Sequence, residues 1–459
     1  GNTFVKMPDG SVKHNLMEGP FAFIGHNSGI SGDLGLNWQI NENHSLGMKM
    51  NYGGMLFGNQ DIVFEDNVYA NDELIDIVHS TSHTTTPSSH TFTGNIYYDG
   101  NINKLHVNFN ADFSDSGYKK ETNVNENSQN DPAFIENLSD GVARMGAGKL
   151  VLSYPIWKGM FKIGTEETYV SAKQEYNSTK TEIPSSKAKI AENNISGFAE
   201  YALPFKYVQV VAGIRYEHVN FKYTNECSPK DNINRTHNNW FPSFNASTKI
   251  GPVGINLGYT TKIKRPRYDQ LSTELQYNNR FLYQTGDPTL LNEIQNTLSL
   301  NANWRWLTLT GAYEVVDNAI YQLGYPYDDD CTAMVKYSNA KETVRKLNIY
   351  LNASPTVGIW NPRYTVGMEK QYFETTVIDP RESTGTRVVK RNDPMFFVQA
   401  NNSFKLKQGW LIDLDYQYTS PFDYVMYKFT KPKHGLNLAV SKSFLKHDAL
   451  NVRLAWNDI

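Results

Sequence analysis

The chain has 459 residues, a formal net charge of −3 and two cysteines. It therefore offers neither the broad basic field that attracts nucleic acid nor, from cysteine alone, a zinc site. Mean hydropathy is −0.53, and no apolar run approaches the roughly 18 residues that mark a spanning helix. That excludes a transmembrane helix within the sequence and leaves a transmembrane β-barrel open, because barrel strands need apolar residues only at alternate positions.

Residues 1–28 read as loop, and the first strand begins near residue 29. "KLHVNFNADF" (104–113) then alternates: Leu105, Val107, Phe109, Ala111 and Phe113 fall on one side of an extended chain, His106, Asn108, Asn110 and Asp112 on the other. The same pattern returns in "INLGYT" (255–260), "LSLNANW" (298–304), "LNIYLNA" (347–353), "LIDLDYQY" (411–418) and "LNVRLAW" (450–456). Helical spacing of apolar residues is scarce throughout. The chain is all-β.

Short links lie at 41–44, 100–103, 155–158, 204–206, 251–253, 304–306, 354–360, 407–409 and 444–448. Between them come polar segments, read as loops, at 57–90, 114–142, 174–195, 224–240, 265–294, 318–342, 374–393 and 420–428. In an up-and-down meander alternate links fall at opposite ends, so one end is trimmed and the other carries the long segments. Transmembrane barrels have this asymmetry, with short periplasmic turns and long extracellular loops. Greek-key crossings would disturb it, and a propeller would show a repeat of about 40 to 50 residues, which is absent. Trp157, Phe205, Tyr207, Trp304, Trp306, Trp360 and Trp410 sit beside the short links, as an interfacial aromatic girdle requires.

The expected fold is thus a large antiparallel up-and-down transmembrane β-barrel occupying 1–459 as one domain, with about 18 strands visible. Val107 faces lipid, and His106, Asn108 and Asn110 face a wet lumen. The directions of the first and last strands predict an incomplete barrel, with about three strands before the first and one after residue 459. Roughly 22 strands in the parent is the size associated with plugged outer-membrane transporters.

Two stretches carry a family resemblance: "TKIKRPRYDQLS" (261–272) and "YQTGDPTLLNEIQNTLSLNANW" (283–304). Arg265, Pro266, Tyr268 and Leu271 match an Arg-Pro element that ends a strand and opens an external loop. Gly286, Pro288, Leu290 and Glu293 match the element that leads into the next strand, with Asp287 where Asn is usual and Asn292 where Pro is usual. This resembles the barrel of TonB-dependent outer-membrane receptors, in particular the outer-membrane β-barrel family. The resemblance implies a Gram-negative outer-membrane receptor that binds a scarce nutrient for energised import. It also implies a plug and a TonB-engaging segment N-terminal to the barrel, and contact with outer-membrane lipid and with a surface lipoprotein. Read from the residues alone, Pro266 and Pro288 stop the ladder at the loop boundaries and Gly286 permits a tight turn. A loop-shaping role is favoured for these residues over ligand contact.

The ligand is expected among segments 57–90, 114–142, 265–294 and 318–342. The first holds Asp61, Glu65, Asp66, Asp72, Glu73, Asp76, His79, His83 and His90. A solvated acidic surface is favoured there over metal binding, and an exposed turn over calcium binding for "DDD" (328–330). Cys227 and Cys331 both fall in external segments, where a disulfide or two unpaired thiols are equally open. No HExxH, GxSxG, GxxxxGK[ST] or Rossmann signature occurs. Asp413 and Asp415 on one strand face are read as lumen residues, and neither a catalytic function nor a cofactor is expected. The alternatives are a non-transporting binding or adhesion barrel and a soluble secreted glycan-binding β-protein.

Overall fold

The computed structural model describes residues 2–128, 130–327, 332–445, 447 and 449–459. A hairpin of β1 (Asn2–Lys6) and β2 (Val12–Glu18) opens the chain. There follow β3 (Phe21–Asn41), β4 (His44–Ala70), β5 (Glu73–Ile102), β6 (Leu105–Ser128), β7 (Ala133–Ile156) and β8 (Gly159–Ser178). Next come β9 (Ser186–Pro204), β10 (Val208–Asn225), β11 (Ile233–Ile250) and β12 (Val253–Lys264). The helix α1 (Tyr268–Leu271) and the hairpin of β13 (Gln276–Asn279) and β14 (Leu282–Thr285) precede β15 (Glu293–Trp304) and β16 (Leu307–Asp317). A further hairpin of β17 (Ile320–Pro326) and β18 (Ala333–Asn339) precedes β19 (Val344–Ala353), β20 (Trp360–Ile378), β21 (Thr386–Arg391), β22 (Met395–Lys405) and β23 (Trp410–Thr419). A small hairpin of β24 (Phe422–Tyr424) and β25 (Tyr427–Phe429) leads to β26 (Lys433–Phe444) and β27 (Leu450–Trp456).

The principal sheet contains 21 strands. Setting aside β1, β2 and β21, which extend it beyond the spanning region, eighteen strands form one antiparallel meander from β3 to β27. The ladder runs directly from β12 to β15, from β16 to β19, from β20 to β22 and from β23 to β26. The intervening segments are insertions at one end. Two of them join: β14 pairs with β18 in parallel, so that 265–294 and 318–342 share a four-stranded sheet. At the two edges, every residue of β3 and of β27 is exposed, and among the described residues no ladder joins them.

The polar segments read as loops are for the most part strand. β4 to β7 are 27, 30, 24 and 24 residues long, far beyond the roughly 9–11 residues needed to cross a bilayer. The β4–β5 hairpin closes at Asn71 and Asp72, with φ of 49° and 69°, the left-handed pair of a two-residue turn. The described part of 1–28, expected as loop, is likewise mostly strand: β1, β2 and the start of β3 lie there.

The reason is a reversal of polarity along each strand. On β10, Ala212, Ile214 and Tyr216 point outward and Arg215 and Glu217 inward; above Glu217 the outward residues are His218, Asn220 and Lys222, while Val219, Phe221 and Tyr223 are buried inside. Lower down, the barrel meets lipid outside and water inside. Higher up it meets water outside and packs inside against the inserted segments. Leu271 and Leu290 pack with Ala172, Ile190, Phe221 and Tyr223, and Tyr277 and Tyr283 pack with Val124, Ile135 and Tyr176. Alternation persists through the reversal, but its sign flips, so a reading that follows one face loses the strand.

Below the reversal the expected faces hold. Phe109 is cross-strand from Tyr98 and Leu150 on the apolar side. On the polar side His106 and Asn108 reach Asp99 at 3.2 and 2.9 Å, and Asn110 donates to Asn108 at 2.8 Å. Trp157, Phe205, Tyr207, Trp304, Trp306 and Trp410 are exposed at the short-turn end, where an aromatic girdle belongs.

Candidate functional site

β12 ends at Lys264, and Arg265 turns its guanidinium down onto the inner wall. Its Nη2 donates to Glu217 Oε2 at 2.7 Å, and its Nε lies 3.4 Å from Glu192 Oε1. The pairing continues: Arg215 Nε donates to Glu217 at 2.8 Å, Arg215 Nη1 to Glu166 at 3.2 Å, and Lys149 Nζ lies 3.6 Å from Glu166. A charged ladder thus crosses the inner faces of β7 to β10 and ends on Arg265. Between Glu192 and Glu217 runs the rung Thr168, Asn194, Val219 and His237. Asn194 Oδ1, His237 Nε2 and Arg235 Nε are buried there without a protein partner, leaving both donor and acceptor capacity for water or a polar ligand. The Arg235 guanidinium lies 4.7 Å from the Phe221 ring centre.

Pro266 then separates strand from helix. Arg267 pairs with Asp269 at 2.7 Å and its N–H donates to Gln270 Oε1. Tyr268 is packed against the core cluster, and burial raises its hydroxyl to about 12. Glu274 follows, its carboxyl pushed up to about 7 by burial, with Gln276 and Lys120 pulling the other way. Tyr277 OH and Arg280 Nε both donate to Glu126 Oε2, at 2.8 and 3.1 Å.

Gly286 does more than turn the chain. Its φ is not left-handed; instead a Cβ there would lie 2.3 Å from Gln270 O and 2.5 Å from Ser272 O. Gly286 N donates to Ser272 O, and Asp287 N to Gln270 O, so the two family-like elements are bonded backbone to backbone. Pro288 lines the adjoining cleft and Leu290 is buried. Glu293, the first residue of β15, accepts from Lys264 Nζ at 3.1 Å and from Ile320 N at 2.6 Å. It therefore fixes the base of both insertions. Asn339 exchanges hydrogen bonds with the backbone of Leu291 and also donates to Asn318 O.

Besides a cleft of about 710 Å³ between the β17–β18 hairpin and β20, two more open around these segments. One, of about 580 Å³, is lined by Ser186, Asn225, Thr273, Gly286, Asp287 and Lys336 among others. The other, of about 560 Å³, lies where the β1–β2 hairpin meets β17–β18 and β20–β21. There Arg381 lies 3.9 Å from the Phe4 ring centre and Phe4 stacks on His14, while hydrogen bonding by Arg381 lowers the Asp379 carboxyl to about 2.

The other sequence-marked groups are placed apart. His83 meets Asp61 at 2.5 Å, His90 meets Asp115 at 3.1 Å and His79 lies 3.9 Å from Glu65. These are separate pairs, and among the described residues no three metal-ligating side chains converge. Asp413 accepts from Ser403 and Arg453. Cys227 is exposed beside the first cleft; Cys331 and residues 328–330 lie outside the described residues. Sequence reasoning missed Glu126, Glu166, Glu192, Arg215, Glu217 and Arg280. The alternation "RYEHVNF" (215–221) holds a signal for two of them, Arg215 and Glu217, on one face.

A large antiparallel meander with an apolar outer belt, a polar inner wall and insertions confined to one end defines a β-barrel of the bacterial outer membrane. The chain belongs to the outer membrane protein beta-barrel family, whose pattern matches residues 101–459, and its location is the outer membrane of a Gram-negative bacterium. It is similar in fold to the siderophore receptor PirA from Pseudomonas aeruginosa, with 13% identity over 97% of this chain and 77% of that one, at a TM-score of 0.52. The copper transporter OprC is similar at 11% identity over 94% and 72%, with a TM-score of 0.62. The FrpB iron transporter from Neisseria meningitidis (F5-1 variant) is similar at 12% identity over 95% and 76%, with a TM-score of 0.55. No curated protein matches.

Proposed function

We propose that this chain is the barrel of a TonB-dependent receptor that binds a scarce nutrient at the cell surface for energised import. The observation that carries this reading is the joined pair of insertions at the mouth, tied by Arg265 to a charged inner wall, within a fold shared with receptors of siderophores and metals. Such an arrangement couples whatever engages the extracellular segments to the lumen wall through Arg265, and to the top of β6 through the Arg280–Glu126 pair. In this reading further strands complete the sheet beside β3 and β27. A plug lies N-terminal to the barrel, and segments 57–90, 114–142, 265–294 and 318–342 meet the ligand, with a surface lipoprotein as partner. A Cys227–Cys331 disulfide belongs to the same extracellular surface.

The test is the intact mass of the native protein from its outer membrane, together with capture by the periplasmic domain of TonB. A mass exceeding this chain's 52.2 kDa by a plug of roughly 100–150 residues, plus TonB capture, supports import. A native mass near 52.2 kDa without capture replaces import by a non-transporting surface-binding barrel.

A further inference from the structure

Five consecutive turns at the short-turn end, β5–β6, β7–β8, β9–β10, β11–β12 and β15–β16, each present one cation at or beside the tip. These are Lys104, Lys158, Lys206, Lys249 and Arg305. Lys407 adds another between β22 and β23. All of them are exposed, and among the described residues none has a carboxylate partner. The whole chain, by contrast, has a net charge of −3.

The acids near this end do not neutralise the group. Asp99 lies 3.2 Å from His106, Glu200 3.0 Å from Lys162 and Asp413 2.9 Å from Arg453, all on the inner wall above the turns. Among the described residues Glu42, on the β3–β4 turn, is the one carboxylate at a tip. With Glu42 and Asp99 counted in full, this end still keeps an excess of positive charge.

Membrane anchoring does not account for the arrangement. Lys249 alternates with Ile250, which is exposed on the lipid side, so Lys249 stands on the lumen side of the rim, where no acyl chain reaches. Arg305 takes a left-handed position (φ 51°), where glycine or asparagine is the usual residue, so turn conformation does not select a cation there. Lys206 and Arg305 stand over the Tyr207 and Trp304 rings at 5.1 and 5.5 Å, which holds them at the rim. Successive short turns are two strands apart, about 10 Å. That is about one Debye length at 0.1 M salt, so the separate fields merge into one positive arc facing the periplasm.

We infer that this arc is a docking surface for the carboxylates of the cell-wall polymer, a glycan strand bearing peptides that end in carboxylate groups. Each turn offers a point charge and no pocket. The surface therefore suits a repeating polyanion rather than a folded partner, whose recognition needs buried anchors. Ammonium groups on flexible stems bind such carboxylates without demanding a fixed geometry.

The experiment uses the full-length protein in detergent and measures its co-sedimentation with purified peptidoglycan sacculi, either native or with their carboxyl groups amidated. Wild type should pellet with native sacculi, and should be released as salt rises from about 0.05 M to about 0.5 M and screening shortens. The variant K104Q/K158Q/K206Q/K249Q/R305Q/K407Q should bind about tenfold less or worse, the sum of several individually weak exposed pairs. K104R/K158R/K206R/K249R/R305K/K407R should bind as wild type does. K173Q/K222Q, which removes two exposed lysines from the extracellular half, should also match wild type. Heat-shifted mobility on gels verifies that each variant is folded. Equal sedimentation of wild type and a folded glutamine variant, or with native and amidated sacculi, overturns the proposal. So does loss of bound phosphatidylglycerol from the glutamine variant with sedimentation unchanged, which would make the arc a lipid anchor.

Discussion

Glu126 and Arg280 are 154 residues apart in the chain, yet Arg280 gives Glu126 two hydrogen bonds, from its backbone N at 3.0 Å and its Nε at 3.1 Å. The Glu126 side chain is fully buried, and Tyr277 OH adds a third bond. This one carboxylate thus anchors the tip of the 265–294 insertion to the top of β6.

Removing the cation should release that tip. Arg280→Ala leaves Glu126 buried with its charge uncompensated, at a cost of roughly 3–5 kcal/mol. Hydrogen exchange of residues 276–285 should accelerate strongly, while exchange in β15 and β16 stays at the wild-type level. Unchanged protection at 276–285 would show that packing of Tyr277 and Tyr283 suffices alone.

The same insertion should loosen as pH rises. Burial raises the Glu274 carboxyl to about 7 in the folded segment, against an ordinary value of 4.5. The folded form holds more protons between those values, so this contribution is fully present below about 4.5 and is lost as pH climbs through 7. Proteolytic nicking of 272–285 should be slower at pH 5 than at pH 8, and Glu274→Gln should abolish the difference.

Gly286→Ala should break the bonded pair of family-like elements. The added methyl meets two backbone carbonyls that cannot swing away, and overpacking of this kind costs about 1–3 kcal/mol. Gly146→Ala is the comparison, with nothing within 4 Å of the new Cβ. Thermal unfolding in detergent should fall for the first and hold for the second.

Arginine placed on either face of β6 should have opposite fates. Phe109→Arg puts a charge on the lipid side, where about 2–4 kcal/mol is lost at the bilayer midplane, so membrane assembly should drop. Asn110→Arg faces the lumen among Asn108 and Lys149 and should assemble. Equal assembly of the two would reverse the assignment of faces.

Much of this architecture was legible as alternation. Leu298, Leu300 and Trp304 against Ser299, Asn301 and Asn303 is decipherable without coordinates, because a strand between lipid and water must separate its two faces residue by residue. The links at 100–103 and 155–158 marked one end for the same reason: little chain is available there to do anything but turn. The extracellular half was misread as loop because its outward residues, such as Lys119, Lys173 and Lys222, are polar, and its inward residues become apolar only where an insertion covers them.

The site followed the same division. Arg265, Gly286 and Glu293 stood out in the sequence by their resemblance to a family pattern, but their partners did not. Glu217 is 48 residues from Arg265 in the chain and looks like any lumen carboxylate, and Glu126 looks like any residue of an acidic surface. Local alternation determined the membrane-spanning half of the strands, their faces there and the membrane, since each depends on neighbours one or two residues away. Which carboxylates are buried, which arginines reach them and which segments fold over the mouth depend on register between strands and on contacts across more than a hundred residues. Only the tertiary structure decides those.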